Sequence, residues 1–179
     1  MPLLKNHYTS EDYWKLPDGE RAELIDGNFY NMAPPSQIHQ RLVMELAGTI
    51  RDYIKHNHGN CQVYPAPFAV NLDAEDKNWV EPDVSVICDP DKLTDRGCCG
   101  APDLIFEIVS PSSRKLDYGI KNVIYAQSGV REYWIVDPAK EKVVVYCYDH
   151  DSDPCLYSFD SDIPVGIYQG LMIRIRGLL

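Results

Sequence analysis

Two stretches decide how this chain is read: Glu81-Pro82-Asp83-Val84-Ser85-Val86-Ile87 and Pro102-Asp103-Leu104-Ile105-Phe106-Glu107-Ile108-Val109-Ser110. In extended backbone, successive side chains point to opposite faces. In the second stretch Leu104, Phe106 and Ile108 therefore face one way, and Asp103, Ile105, Glu107 and Val109 the other. In the first, Val80, Pro82, Val84 and Val86 share a face, and Glu81, Asp83, Ser85 and Ile87 share the opposite one. Each strand has one wholly apolar face and one that mixes carboxylates with aliphatics.

Glu107 is the residue out of place. A lone buried carboxylate costs several kcal/mol or stays protonated, so buried charges are paired or coordinate a metal. Two carboxylates on neighbouring strands repel unless a cation lies between them, and oxygen-rich sites suit Mg²⁺ or Mn²⁺. The alternative is an internal salt bridge from Glu107 to Arg114, Lys115 or Lys121. From these residues alone, both readings stand.

The segment from Asp117 to Gln127 reads as a helix with Leu116, Ile120, Val123 and Ile124 on its apolar side and Gly129 at its end. Asp117, Lys121 and Tyr125 recur at i, i+4 and i+8 on the flanking face. From there the stem of Lys121 can carry an ammonium to the carboxylates; an exposed Asp117–Lys121 pair would be worth only ~0.3–0.5 kcal/mol. Upstream, Thr9 or Ser10 caps a short helix. Asp26-Gly27-Asn28 marks a hairpin between Ala22–Ile25 and Phe29–Met32. Pro34-Pro35-Ser36 opens a long helix in which Ile38, Leu42, Leu46, Ile50 and Ile54 form an apolar stripe. His39 falls within that stripe, which favours a hydrogen-bonded core histidine over a catalytic one. Strands are read at Cys61–Val70, Val80–Cys88, Leu104–Val109, Arg131–Val136, Lys142–Tyr148 and Leu171–Arg176. This order gives an α/β (α+β) core around a mixed sheet.

Composition narrows the function. With 179 residues, 45% of them apolar and 25% charged, the chain has the length and make-up of one globular domain spanning 1–179. A net charge of −10 argues against gripping nucleic acid by bulk electrostatics, though not against an acidic enzyme site neutralised by divalent cations. No apolar run is long enough to cross a bilayer, and Met1–Asn6 lacks a signal-peptide start. The six cysteines form no C-x-x-C pair and read as reduced thiols of a cytoplasmic protein.

From Glu23-Leu24-Ile25-Asp26-Gly27 through His39, Glu81-Pro82-Asp83 and Gly100–Ser112 to Asp117, Lys121, Tyr125 and Gly129–Asp137, the chain resembles the Uma2 family. That family belongs to the PD-(D/E)xK restriction-endonuclease-like superfamily. The resemblance implies a mixed sheet flanked by helices and a Mg²⁺- or Mn²⁺-dependent nuclease acting on nucleic acid, DNA more than RNA, as a homodimer. Pro82-Asp83 matches the first acid of the pattern and Glu107 the second. The resemblance implies that Asp83, Glu107 and the main-chain carbonyl of Ile108 bind the metal. Where the pattern has lysine this chain has Val109, so the role passes by implication to Lys121, with Lys115 as the fallback. His39, Asp117 and Tyr125 are candidate supporting residues. Substrate grip is expected locally, from Arg114, Lys115 and Lys121. The rival readings are a nuclease fold without catalysis and a metal-independent glycosidase using Asp83 and Glu107.

Overall fold

Turn and cap chemistry place the first elements. The computed structural model describes residues 7–73, 75–150 and 152–179; the reading of Met1–Asn6 lies outside these. Thr9 and Asp12 form a reciprocal capping box on α1 (Ser10–Tyr13). β1 (Ala22–Ile25) and β2 (Asn28–Asn31) pair through a two-residue turn in which Asp26 and Gly27 both have positive φ. Ser36 accepts the His39 N–H and caps α2 (Gln37–His56), which buries Leu42, Val43, Leu46, Ile50 and Ile54. There follow β3 (Gln62–Pro65), β4 (Val70–Asn71), β5 (Trp79–Val80) and β6 (Val84–Ile87), then β7 (Leu93–Thr94), β8 (Gly97–Cys99) and β9 (Leu104–Ile108). A π-helical turn (Leu116–Lys121) leads into α3 (Asn122–Ser128), which ends at left-handed Gly129. The chain finishes with β10 (Glu132–Asp137), β11 (Lys142–Cys147), β12 (Cys155–Ser158), β13 (Ile163–Pro164) and β14 (Met172–Ile173).

Two six-stranded mixed sheets result, ordered β2-β1-β5-β4-β8-β7 and β12-β11-β10-β9-β6-β3. Within the second, β9 and β10 are parallel and are joined by the π turn and α3, while their other neighbours run antiparallel. Leu104, Phe106, Ile108, Val84 and Val86 pack with the α2 stripe, as the period of two requires. Ile105, Val109, Ile87, Tyr133 and Ile135 face the other way and share a core with Ile25, Val70 and Val80 of the first sheet. Among the described residues, no helix is long and apolar enough to cross a membrane.

Several expectations are corrected. Val80–Cys88 is not one strand: it breaks at Pro82, so Val80 joins the other sheet and the opposite core. Cys61 and Cys88, read as thiols, form a disulfide, because the β3–β6 register of Gln62 with Ile87 sets them opposite one another. Leu171–Arg176 is strand only at Met172–Ile173; Ile173 and Ile175 bury themselves in the chain's own core.

The apolar side read for the Asp117–Gln127 segment is buried only in part, Leu116 and Ile124 packing against the core. Ile120 and Val123 are exposed, whereas Asp117, Lys121 and Tyr125 are buried. The polar face was drawn inward because its partners, the acids of β1 and β9, lie beneath it.

Candidate functional site

Continuing the β6–β9 register one step beyond Val84 and Phe106 sets Asp83 opposite Glu107. Glu107 is only 3% exposed. Its Oε1 accepts the Lys121 ammonium at 2.8 Å and the Tyr125 hydroxyl at 2.6 Å. Asp83 Oδ2 accepts the Ile108 N–H at 2.7 Å and lies 3.2 Å from His39 Nε2. His39 is hydrogen-bonded, as expected, but lies only partly buried at the edge of the core, because it is on the first turn of α2, against Asp83.

Lys121 also reaches Glu23 Oε1 at 2.9 Å and Asp117 Oδ1 at 3.7 Å. Glu23 comes from β1 and is held by the Glu81 N–H at 2.9 Å. Glu81 in turn pairs with Arg21 and accepts the Tyr13 hydroxyl. Glu23 escaped the reading of candidate site residues, yet the same signal marks it: an acid within the fully buried strand Ala22-Glu23-Leu24-Ile25.

Four buried carboxylates (Glu23, Asp83, Glu107 and Asp117) thus surround one buried lysine and one histidine. Burial is the main reason that Glu107 titrates well above the carboxylate range; Lys121 opposes this, while Asp83, Asp117 and Glu23 reinforce it. Burial likewise lifts Asp117 to about 6, again against the pull of Lys121. On Lys121 burial disfavours the charge, but Glu107, Glu23 and Asp117 outweigh it and hold the ammonium well above its usual range. His39 loses charge stability to burial and regains more from Asp83, so its pKa is raised.

The donor set suits a hard divalent cation. Among the described residues, no hydrogen-bond donor meets Asp83 Oδ1, Glu107 Oε2 or either carboxylate oxygen of Asp117. Side chains alone do not complete a ligand set, since no three His, Cys, Asp or Glu side chains among the described residues converge as one. The π-helical turn matters here, as such turns are rare and recur at functional sites. It carries Asp117 at its second position and Lys121 at its last, both inward.

The remaining candidates lie elsewhere. Lys115, the fallback lysine, is exposed, and Arg114 is tied to Asp137. With Lys121 buried as well, the expected trio of basic substrate contacts is not assembled.

The family model described as "putative restriction endonuclease", Uma2, matches residues 10–164. The chain belongs to the Uma2 family. A Synechocystis sp. (strain ATCC 27184 / PCC 6803 / Kazusa) relative, uncharacterized protein slr1290, is 25% identical over 154 residues, covering 84% of this chain and 80% of the relative. A crystal structure of a DUF820 protein from Anabaena variabilis ATCC 29413, described as a putative nuclease, superposes with a TM-score of 0.78 at 20% identity. It covers 95% of this chain and 96% of the other. The Uma2 chain accordingly has the restriction-endonuclease-like α/β architecture.

Proposed function

We propose that this Uma2 protein is an endonuclease that hydrolyses phosphodiester bonds of nucleic acid, DNA in preference to RNA, using Mg²⁺ or Mn²⁺. The observation that carries this reading is the excess of buried carboxylates over buried cations around Lys121. The family description points the same way.

Asp83, Glu107 and the main-chain carbonyl of Ile108 would hold the ion. Once bound, such an ion polarises a phosphodiester oxygen and acidifies a water molecule. The chain's own residues do the rest. Tyr125 and Lys121 fix one oxygen of Glu107 and leave the other free of donors. The Ile108 N–H and His39 do the same for Asp83. Lys121, kept protonated by three acids, is suited to orient the attacking water or to stabilise charge growing on the phosphoryl group; it is not suited to act as a base.

Glu107→Gln keeps the shape of the side chain and removes its charge. It should abolish Mg²⁺-dependent nicking of plasmid DNA while circular dichroism and the melting transition stay native. Ca²⁺ should support DNA binding without cutting, and EDTA should stop cleavage. Nicking by the Glu107→Gln variant would remove Glu107 from the chemistry. A second reading, a nuclease fold that binds without cutting, draws on the incomplete side-chain ligand set and the unassembled basic trio. Absence of divalent-ion binding in calorimetry would favour it.

A further inference from the structure

Between α1 and the β4–β5 pair lies a cleft of about 610 Å³, within the roughly 300–1,000 Å³ span of small-ligand sites. Its walls are aromatic. Trp14, 38% exposed, meets Trp79 edge-on with centroids 5.0 Å apart, and the Arg96 guanidinium lies 5.2 Å from the Trp14 ring. Trp79 is fixed by its Nε1–H bond to Ser10 Oγ at 2.7 Å. Asn71 lines the same cleft, is 7% exposed, and has a buried amide oxygen with no donor among the described residues.

We propose that this cleft is a subsite for one unpaired nucleobase bearing an amino group, stacked on Trp14 and read at its edge by Asn71. Aromatic faces take unstacked bases of single strands whatever their sequence, and asparagine pairs its amide with the edge of adenine. The charged lining is balanced, Glu11 and Asp76 against Lys15 and Arg96, so the cleft offers a phosphate no net positive charge and suits an uncharged base. The cleft also connects to the acids. Tyr13, stacked on Trp79 at 5.5 Å, donates its hydroxyl to Glu81, whose N–H holds Glu23 against Lys121. The cleft is thus linked to the acids through this chain of contacts, and in choosing nucleic acid as the ligand the inference rests on the hydrolytic reading.

The test is fluorescence anisotropy of short labelled oligonucleotides on the full chain in EDTA, where no cleavage occurs. Oligo(dA) should bind at least tenfold more tightly than an abasic strand of equal length. Trp14→Ala should weaken it by roughly 5- to 150-fold, the worth of one base–aromatic stack, and Trp14→Phe should retain most of the affinity. Asn71→Ala should erase the preference for oligo(dA) over oligo(dT). Equal binding of the abasic strand, or unchanged binding by Trp14→Ala, overturns the subsite. If base-dependent binding persists while Mg²⁺-dependent nicking is never found, the hydrolytic reading falls alone; nicking without base-dependent binding removes the subsite alone.

Discussion

Asp117 is the residue whose replacement speaks most directly to the charge argument. Its carboxylate is 1% exposed, neither oxygen meets a donor among the described residues, and the Lys121 ammonium stands off at 3.7 Å. Burial raises its pKa from 3.8 to about 6, so the folded chain holds a proton that the unfolded chain releases earlier. A shift of that size is worth about 3 kcal/mol. Because the folded pKa is raised, this contribution is whole below pH ~4 and is lost as pH climbs through ~6. At pH 7.5, in EDTA, the native state carries the cost of an ionised Asp117 that Lys121 and Ser113 only partly offset. Asp117→Asn removes that cost at almost constant volume. Urea unfolding should give nearly equal midpoints for the two proteins at pH 4. By pH 7.5 the variant should lead by roughly 1–1.5 M, taking a slope of about 2–3 kcal/mol per molar. A gap that does not change with pH, or a variant less stable at pH 7.5, would refute the claim that Asp117 is ionised at a cost.

Lys121→Met leaves Glu107, Glu23 and Asp117 without their shared cation. Thermal melts should show a loss of about 3–5 kcal/mol at pH 8, shrinking at pH 5 as the acids take up protons, and an equal loss at both pH values would contradict this. Mg²⁺ titrated calorimetrically at pH 6 should displace a proton from Glu107, seen as heats that scale with the buffer's ionisation enthalpy; identical heats in two buffers would count against binding at this acid. Reducing the Cys61–Cys88 bridge, with its separation of 27 residues, should cost about 3–4 kcal/mol in a loop-closure picture. The urea midpoint with and without dithiothreitol measures this directly.

The cluster resembles a spring more than a staple. A buried ion pair with matched partners is nearly neutral toward stability, but here the acids outnumber Lys121 and His39. The imbalance weakens the protein at neutral pH, and a cation that bound there would stabilise it by mass action.

Local sequence determined much of the framework. Alternation along Val84–Ile87 and Leu104–Val109 assigned each side chain its face, and both cores agree with it. Asp26-Gly27 specified a tight turn, and Ser36 with the four-residue stripe specified α2, because caps, turns and periodicity act over a few residues. That Asp83 lies opposite Glu107 comes instead from the antiparallel β6–β9 register, which only the fold supplies. What sequence could not assign was which side of a helix faces inward. Spacing put Asp117, Lys121 and Tyr125 on one face and Ile120 and Val123 on another; hydropathy expected Ile120 and Val123 to be buried, and of that apolar side only Leu116 and Ile124 pack against the core. The deciding partners, Glu23 and Glu107, arrive from β1 and β9. Tertiary structure likewise joined Cys61 to Cys88 across strands and placed His39 on Asp83. Charge compensation is a property of neighbours in space, and only the folded chain says who those neighbours are.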